Sequence, residues 1–463
     1  MSGRRRIGPV DTIWLNMDRP NNLMVIESVM FLDEAPDWDR LVDVVRRRMV
    51  ERFPVFHQRP VPPRTPLGLP HWEDDPDFSL DRHLHRVTLP RPGDDAALQR
   101  LLEQHLHVPL DRAHPLWQVH LVDGYGSGAA VLCRFHHALA DGIALTRVML
   151  SLTDAAPGDD LAAAEGDLAP PRPEGLAGLV DTALSATRAG AGLTRQALTG
   201  LLGLASPSGV VGAAGRVLRT GQVVDDLLLT STPDNPLSGT PGIHKRAVWS
   251  QAWPLADLKH VGRLAGATLN DVLLSAVAGA LCRYQLDHGA VPADLPTMVP
   301  VNVRPLDQPL PRELGNKFAL VFFTFPSSIQ PPLERLAETK RRMDWLKRSP
   351  EATVTFGLIT AIGRTTAALE HYVVNFFADK VIGVTTNVAG PTSVRYLAGV
   401  RISGALGWVP GSGRQTLGVS IFTYADTLRV GFMADADCVH EPEKLLHAVE
   451  REVADLMSLA RTA

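Results

Sequence analysis

The stretch from Ala155 to Pro173 limits the fold more than any other feature of the chain. It is rich in Ala, Gly, Asp and Pro, a composition with little to bury and much to bend, and it reads as a linker. From Gly175 to Leu229 the sequence is dominated by Ala, Gly, Leu and Val with scattered Arg, the pattern of one or two loosely organised helices, and a loop at Ser231–Gly242 follows. The chain has 463 residues, beyond the roughly 250–300 at which a single core stops growing. We therefore expect a first domain over 1–174, a helical linker over 175–230 and a second domain over 231–463.

Both halves alternate strand-like and helix-like patterns. In the first, Val25–Leu32 reads as a strand, and Trp38, Leu41, Val44, Val45 and Met49 fall on one face of a helix over Trp38–Arg52, which Pro54 stops. Pro60–Pro70 reads as a loop and Phe78–Leu89 as a strand, and Asp94 caps a helix carrying Leu98, Leu101 and Leu102. Trp117–Val122 is strand-like and turns at Asp123-Gly124-Tyr125-Gly126. Ala129 to Phe135 is then apolar except for Arg134, as in a buried strand. The second half interleaves strand-like runs at Thr297–Val303, Phe318–Phe325, Val381–Val388, Leu417–Tyr424 and Leu428–Ala434 with helical runs at Asp271–Leu286, Leu333–Leu346 and Glu443–Leu459. The fold class is α/β.

Hydrophobic residues make up 45% of the chain and charged residues 21%, the balance of a folded globular protein. A net charge of −4 and a pI near 6.5 give no drive towards nucleic acid, and no nucleic-acid partner is expected. Cys133, Cys282 and Cys438 lie far apart in apolar stretches and read as buried free thiols of a reducing compartment. Arg4, Arg5 and Arg6 are followed by polar residues before any apolar run of signal-peptide length. No window of about 18 apolar residues is present. The expectation is a cytoplasmic protein or one that lies on a membrane surface.

The strand ending at Phe135 delivers His136-His137-Ala138-Leu139-Ala140-Asp141-Gly142. A neutral imidazole at the end of a buried strand can act as a general base towards a hydroxyl, an effect worth roughly 10²–10⁴ in rate. Strand alternation turns only one of two adjacent histidines into a given cleft, and we take His137 as the base and His136 as support. Asp141 either holds the ring or braces the loop, pairing with a nearby arginine; the bracing role is favoured. Gly142 permits a tight backbone approach and opens a helix over Ile143–Leu152. Two histidines and an aspartate can also hold zinc or iron, but no further Cys or His lies at ligand spacing, so no metal is expected. A serine between glycines at two-residue offsets is absent, which argues against an acyl-serine intermediate. Gly124-Tyr125-Gly126-Ser127-Gly128 departs from a dinucleotide-binding loop at its last glycine and reads as a hairpin turn.

The His-His-x-x-x-Asp-Gly segment resembles the motif of the coenzyme-A-dependent acyltransferases, shared by chloramphenicol acetyltransferase, carnitine acyltransferases and peptide-synthetase condensation domains. Pro115-Leu116-Trp117, Pro236-Leu237-Ser238-Gly239, Asn270-Asp271-Val272, Pro300-Val301-Asn302-Val303-Arg304 and Thr386-Asn387-Val388-Ala389-Gly390-Pro391 narrow the likeness. Together they resemble the bacterial wax ester synthase/diacylglycerol acyltransferases over nearly the whole chain. Asn21-Asn22-Leu23-Met24 stands where a Pro-Met-His-like segment is expected, and Ala389 replaces a proline.

The resemblance implies two chloramphenicol-acetyltransferase-like domains, each a mixed sheet flanked by helices, with the active-site channel between them. It implies transfer of a long-chain fatty acyl group from acyl-CoA, a co-substrate and not a permanently bound cofactor, to diacylglycerol or a long-chain alcohol. His137 would be the base. Asn270 would donate to the oxyanion or orient the acceptor, and an Asn opening an apolar run also reads as a helix N-cap; the two roles are compatible. Arg312, Lys317, Lys340, Arg341 and Arg342 could meet coenzyme A phosphates, as solvated helix faces also would look. Another hydroxyl acceptor, a carrier-protein donor, or a non-catalytic lipid-binding relative are the alternatives.

Overall fold

A computed structural model of the chain describes residues 4–63, 65, 68–158, 233–302, 308–348 and 374–462. The expected helices of 175–229 and the Val303-Arg304 end of one landmark lie outside the described residues. In chain order the first half contains β1 (Arg5–Arg6), α1 (Pro9–Met17), β2 (Val25–Leu32), α2 (Trp38–Val45), β3 (Gln58–Val61), β4 (His71–Asp74) and β5 (Leu84–Thr88). It continues with α3 (Asp95–Leu106), β6 (Trp117–Tyr125), β7 (Gly128–His136), α4 (Gly142–Ser151) and β8 (Thr153–Asp154). The second half contains β9 (Lys245–Trp249), β10 (Trp253–Pro254), α5 (Leu255–Leu264), α6 (Leu269–Asp287), β11 (Leu295–Asn302), β12 (Phe318–Phe325) and α7 (Pro332–Arg348). It ends with β13 (Gly383–Ala389), β14 (Tyr396–Leu397), β15 (Val400–Trp408), β16 (Leu417–Tyr424), β17 (Thr427–Asp435) and α8 (Pro442–Thr462).

Two seven-stranded mixed sheets carry the molecule. The first runs β5-β6-β7-β2-β15-β14-β8, with β5 and β6 parallel; the second runs β10-β17-β16-β13-β11-β12, with β9 also on β17 and β13 parallel to both β16 and β11. β14 and β15 come from the second half of the chain yet complete the first sheet, β15 pairing along β2 from Leu32 to Glu27. The sheets approach closely there: a Cβ on Gly431 of β17 would stand 2.7 Å from Leu406 and 3.0 Å from the Trp408 indole nitrogen. The pattern over 400–408 carries Gly404 and Gly407, which weaken a local strand signal, and sequence reading missed this strand.

The single charge in the apolar run of β7 has a register explanation. Arg134 lies directly across from Glu27 on β2 and Gln118 on β6. Buried with Glu27, it pairs with that carboxylate at 3.1 Å and donates to Gln118 Oε1 and to the carbonyls of His105 and Val108. A buried charge persists when its bonds are met in this way.

Other expectations need adjustment. The helix from Trp38 changes at Arg46 into a wider π turn that ends at Val50. Only Leu84–Thr88 of the Phe78–Leu89 run is strand, because Leu80–Arg82 forms a 3₁₀ turn that leaves Asp81 and Arg82 in solvent. Cys133 and Cys282 are buried and free, whereas Cys438 is partly exposed. In the second half, α6 is buried on almost every side against α5, α7, α8 and the sheet, which is why it is apolar all round rather than amphipathic. Among the described residues no single helix is long and apolar enough to cross a membrane; one bent pair, α5 with α6, passes on length and composition together.

Candidate active site

β7 ends at His136, and the chain turns before α4. The His137 backbone N–H donates to the Met24 carbonyl at 2.7 Å, which ties the turn to the start of β2. The two histidines then point differently. His136 is buried: its Nδ1 accepts from the Ala138 N–H at 3.1 Å, so its Nε2 carries the proton, 3.6 Å from Asp18 Oδ2 at the end of α1. His137 lines a cavity of about 240 Å³ whose walls come from both sheets, including Phe135, Trp408, Pro300, Phe318 and Asn387.

The His137 ring is stacked on Trp14 of α1, centroids 4.1 Å apart. Its Nδ1 lies 3.0 Å from Asn316 Oδ1. Asn316 Nδ2 donates to the His137 carbonyl and to Asp11 Oδ1, each at 2.8 Å, and its backbone N–H donates to the same Asp11 oxygen at 2.8 Å. Burial, the largest influence, pushes the His137 pKa down to about 4, so the ring is neutral at neutral pH, as a base must be.

Asp141 caps α4: its Oδ1 accepts from the Ala144 N–H at 2.8 Å while its Oδ2 accepts from the Lys317 N–H at 2.9 Å. It thereby braces the loop after β7 against the segment that carries Asn316. Gly142 opens α4, but no close backbone approach requires it; a Cβ there would meet nothing within 4 Å. Because Gly142 lines the cavity, the missing side chain leaves room inside it.

Asn270 lies in the first turn of α6 and does not cap it. Thr268 is the N-cap, in a capping box with Asp271. The buried Asn270 Oδ1 accepts from Asn387 Nδ2 at 2.7 Å, so Asn270 stands behind a residue that lines the cavity. Pro115-Leu116-Trp117 backs the other side of the site: the Leu116 carbonyl accepts from the His136 N–H at 3.0 Å, and the Trp117 indole donates to the Phe56 carbonyl at 2.8 Å. Lys340, Arg341 and Arg342 are paired with Asp344, Glu338 and Asp294, carboxylates of α7 and its neighbour strand region, rather than gathered at the cavity.

Sequence reading did not single out Asp11, Trp14 or Asn316. Asp11 left one signal, a lone carboxylate within the apolar run of α1. Asn316, between Gly315 and Lys317, left none that periodicity can detect.

The domain family described as wax ester synthase/diacylglycerol acyltransferase catalytic domain matches residues 7–273, and the WS/DGAT C-terminal domain matches residues 314–457. A Mycobacterium tuberculosis protein described as a probable diacylglycerol O-acyltransferase is 28% identical over 96% of this chain and 94% of its own length. The solved wax ester synthase/diacylglycerol acyltransferase of Marinobacter aquaeolei VT8 superposes with a TM-score of 0.70 at 21% identity, covering 98% of this chain and 99% of that one. The starter condensation domain of rhizomide synthetase, solved in complex with C8-CoA, superposes with a TM-score of 0.58 at 15% identity, covering 99% and 94%.

Proposed function

The chain belongs to the wax ester synthase/diacylglycerol acyltransferase family and is an O-acyltransferase, and we propose that it moves a long-chain fatty acyl group from acyl-CoA to diacylglycerol or a long-chain alcohol with His137 as general base. The observation that carries this reading is a neutral, buried imidazole whose Nδ1 is engaged by Asn316 and whose ring lines an apolar cavity. Nε2 is then the nitrogen left for the acceptor hydroxyl.

In this reading His137 Nε2 takes the hydroxyl proton as the acceptor oxygen attacks the thioester carbonyl carbon. The tetrahedral oxyanion collapses, the carbon–sulfur bond breaks, and the imidazolium returns the proton to the departing coenzyme A thiolate. The products are an ester and free coenzyme A, with the enzyme unchanged. Apolar walls suit both fatty chains, each buried methylene contributing about 0.8 kcal/mol, and they exclude the water that would hydrolyse the thioester. Acceptors of this kind reside in lipid, so the enzyme would work at a membrane or droplet surface.

The test is thiol release from palmitoyl-CoA with hexadecanol or dipalmitoylglycerol, comparing the natural protein with His137→Ala. Release that depends on the alcohol and falls about a hundredfold or more in the variant is expected. Release that the substitution leaves intact would remove His137 from the mechanism.

A further inference from the structure

We infer that Asp11 and Asn316 form a positioning pair that fixes which nitrogen of His137 carries the proton, an inference that rests on the reading of His137 as base. The Asn316 amide is placed among three groups, and two of them, the Asp11 carboxylate and the His137 carbonyl, can only accept. Both lie 2.8 Å from the same amide corner. That corner must be the NH₂, so the opposite corner is the carbonyl oxygen, which lies 3.0 Å from His137 Nδ1. An oxygen there requires Nδ1 to be N–H, and the neutral ring then holds its lone pair on Nε2. Turning the amide over would set its oxygen against a carboxylate and a carbonyl, and would force the proton to the nitrogen that has to accept one.

Asp11 is itself held in place. Its Oδ1 also accepts from the Asn316 backbone N–H, and its Oδ2 is boxed by two glycines: a Cβ on Gly8 would stand 2.9 Å from it and one on Gly315 3.2 Å. Asp11 and Asn316 are both buried. The pair joins opposite halves of the chain, Asp11 from α1 and Asn316 from the segment before β12, so the base is set only when both halves are in place. Neither residue lines the cavity, which makes them positioning residues and not catalytic ones.

The experiment is nitrogen NMR of ¹⁵N-histidine-labelled full-length protein, with His137 assigned by its loss in His137→Gln, alongside kcat and KM for palmitoyl-CoA. The natural protein is expected to show Nε2 as the single unprotonated ring nitrogen of His137. Asn316→Ala removes this acceptor and leaves the ring its own backbone carbonyl. Asp11→Leu removes the acceptor that holds the amide the right way round, whereas Asp11→Asn keeps an oxygen on the Asn316 backbone N–H and serves as the conservative rescue. Asn316→Ala and Asp11→Leu are expected to populate the other tautomer and to lose at least about tenfold in kcat, with KM changed by less than about threefold, and Asp11→Asn is expected to restore the tautomer and most of the kcat that Asp11→Leu loses. If Asn316→Ala and Asp11→Leu both keep the single tautomer, with or without loss of kcat, the inference is overturned. If they keep it while His137→Gln is inactive, the reading of His137 as base stands without it; if His137→Gln is fully active, that reading falls and this inference with it.

Discussion

Asp11 holds a charge where burial disfavours one. Its pKa is raised to about 6, burial outweighing the two bonds from Asn316 that lower it. A folded-state value above the unfolded 3.8 means that the folded protein binds the proton more tightly, so this residue adds stability on acidification from pH 6 towards 4 and withholds it above pH 6. Asn does not titrate. Asp11→Asn should therefore melt higher than the natural protein at pH 8, with the gap closing as the pH falls through 6; melting curves across that range check the sign. Asn316 and Asp11 are 305 positions apart, and a contact of that span leaves no trace in local periodicity. The two histidines, by contrast, were legible because they end an apolar strand of fixed alternation.

Three helices pack around the site, and each was legible to a different degree. Helix α1 brings Asp11, Trp14 and, at its end, Asp18 to the two histidines; its nine residues are short for a confident periodic reading. Helix α4 is marked by its Asp141 cap and Gly142 start, and α6 by its long apolar run, although the Asn270 cap expected there belongs to Thr268. Thr268→Ala should cost roughly 0.5–2 kcal/mol of stability by chemical denaturation. It should also reduce kcat only modestly if Asn270 serves chiefly to hold Asn387, because helix packing keeps α6 in place. Strands β2, β6 and β7 were legible from alternation and turn residues, whereas β15 was hidden by its glycines and by a partner far away in the chain.

At the scale of the molecule, acid should act through a stack of imidazoles on the first sheet. His120 lies between His85 and His105, with ring centroids 4.7 and 4.4 Å away. Burial, followed by neighbouring positive charge, lowers His120 to about 3 and His105 to about 4. Folded values below the unfolded 6.5 mean that the stability these neutral rings contribute is present above pH 6.5 and is lost as the pH falls towards 4 and 3. The urea midpoint should decline over that range, and His120→Leu should make the decline shallower. The α/β class followed from the interleaved patterns of the two halves, and the two-sheet plan from the family resemblance; the crossing of β14 and β15 into the first sheet was in neither, since strand pairing between distant segments is set by tertiary packing. That crossing also governs how the protein is born. When the first half leaves the ribosome, β2 presents an unpaired apolar edge, and its partner is made only after the rest of the first half and most of the second. At about 5–20 residues per second the nascent chain carries this open edge for tens of seconds, a window in which chaperones, and not the final fold, must keep neighbouring polypeptides apart.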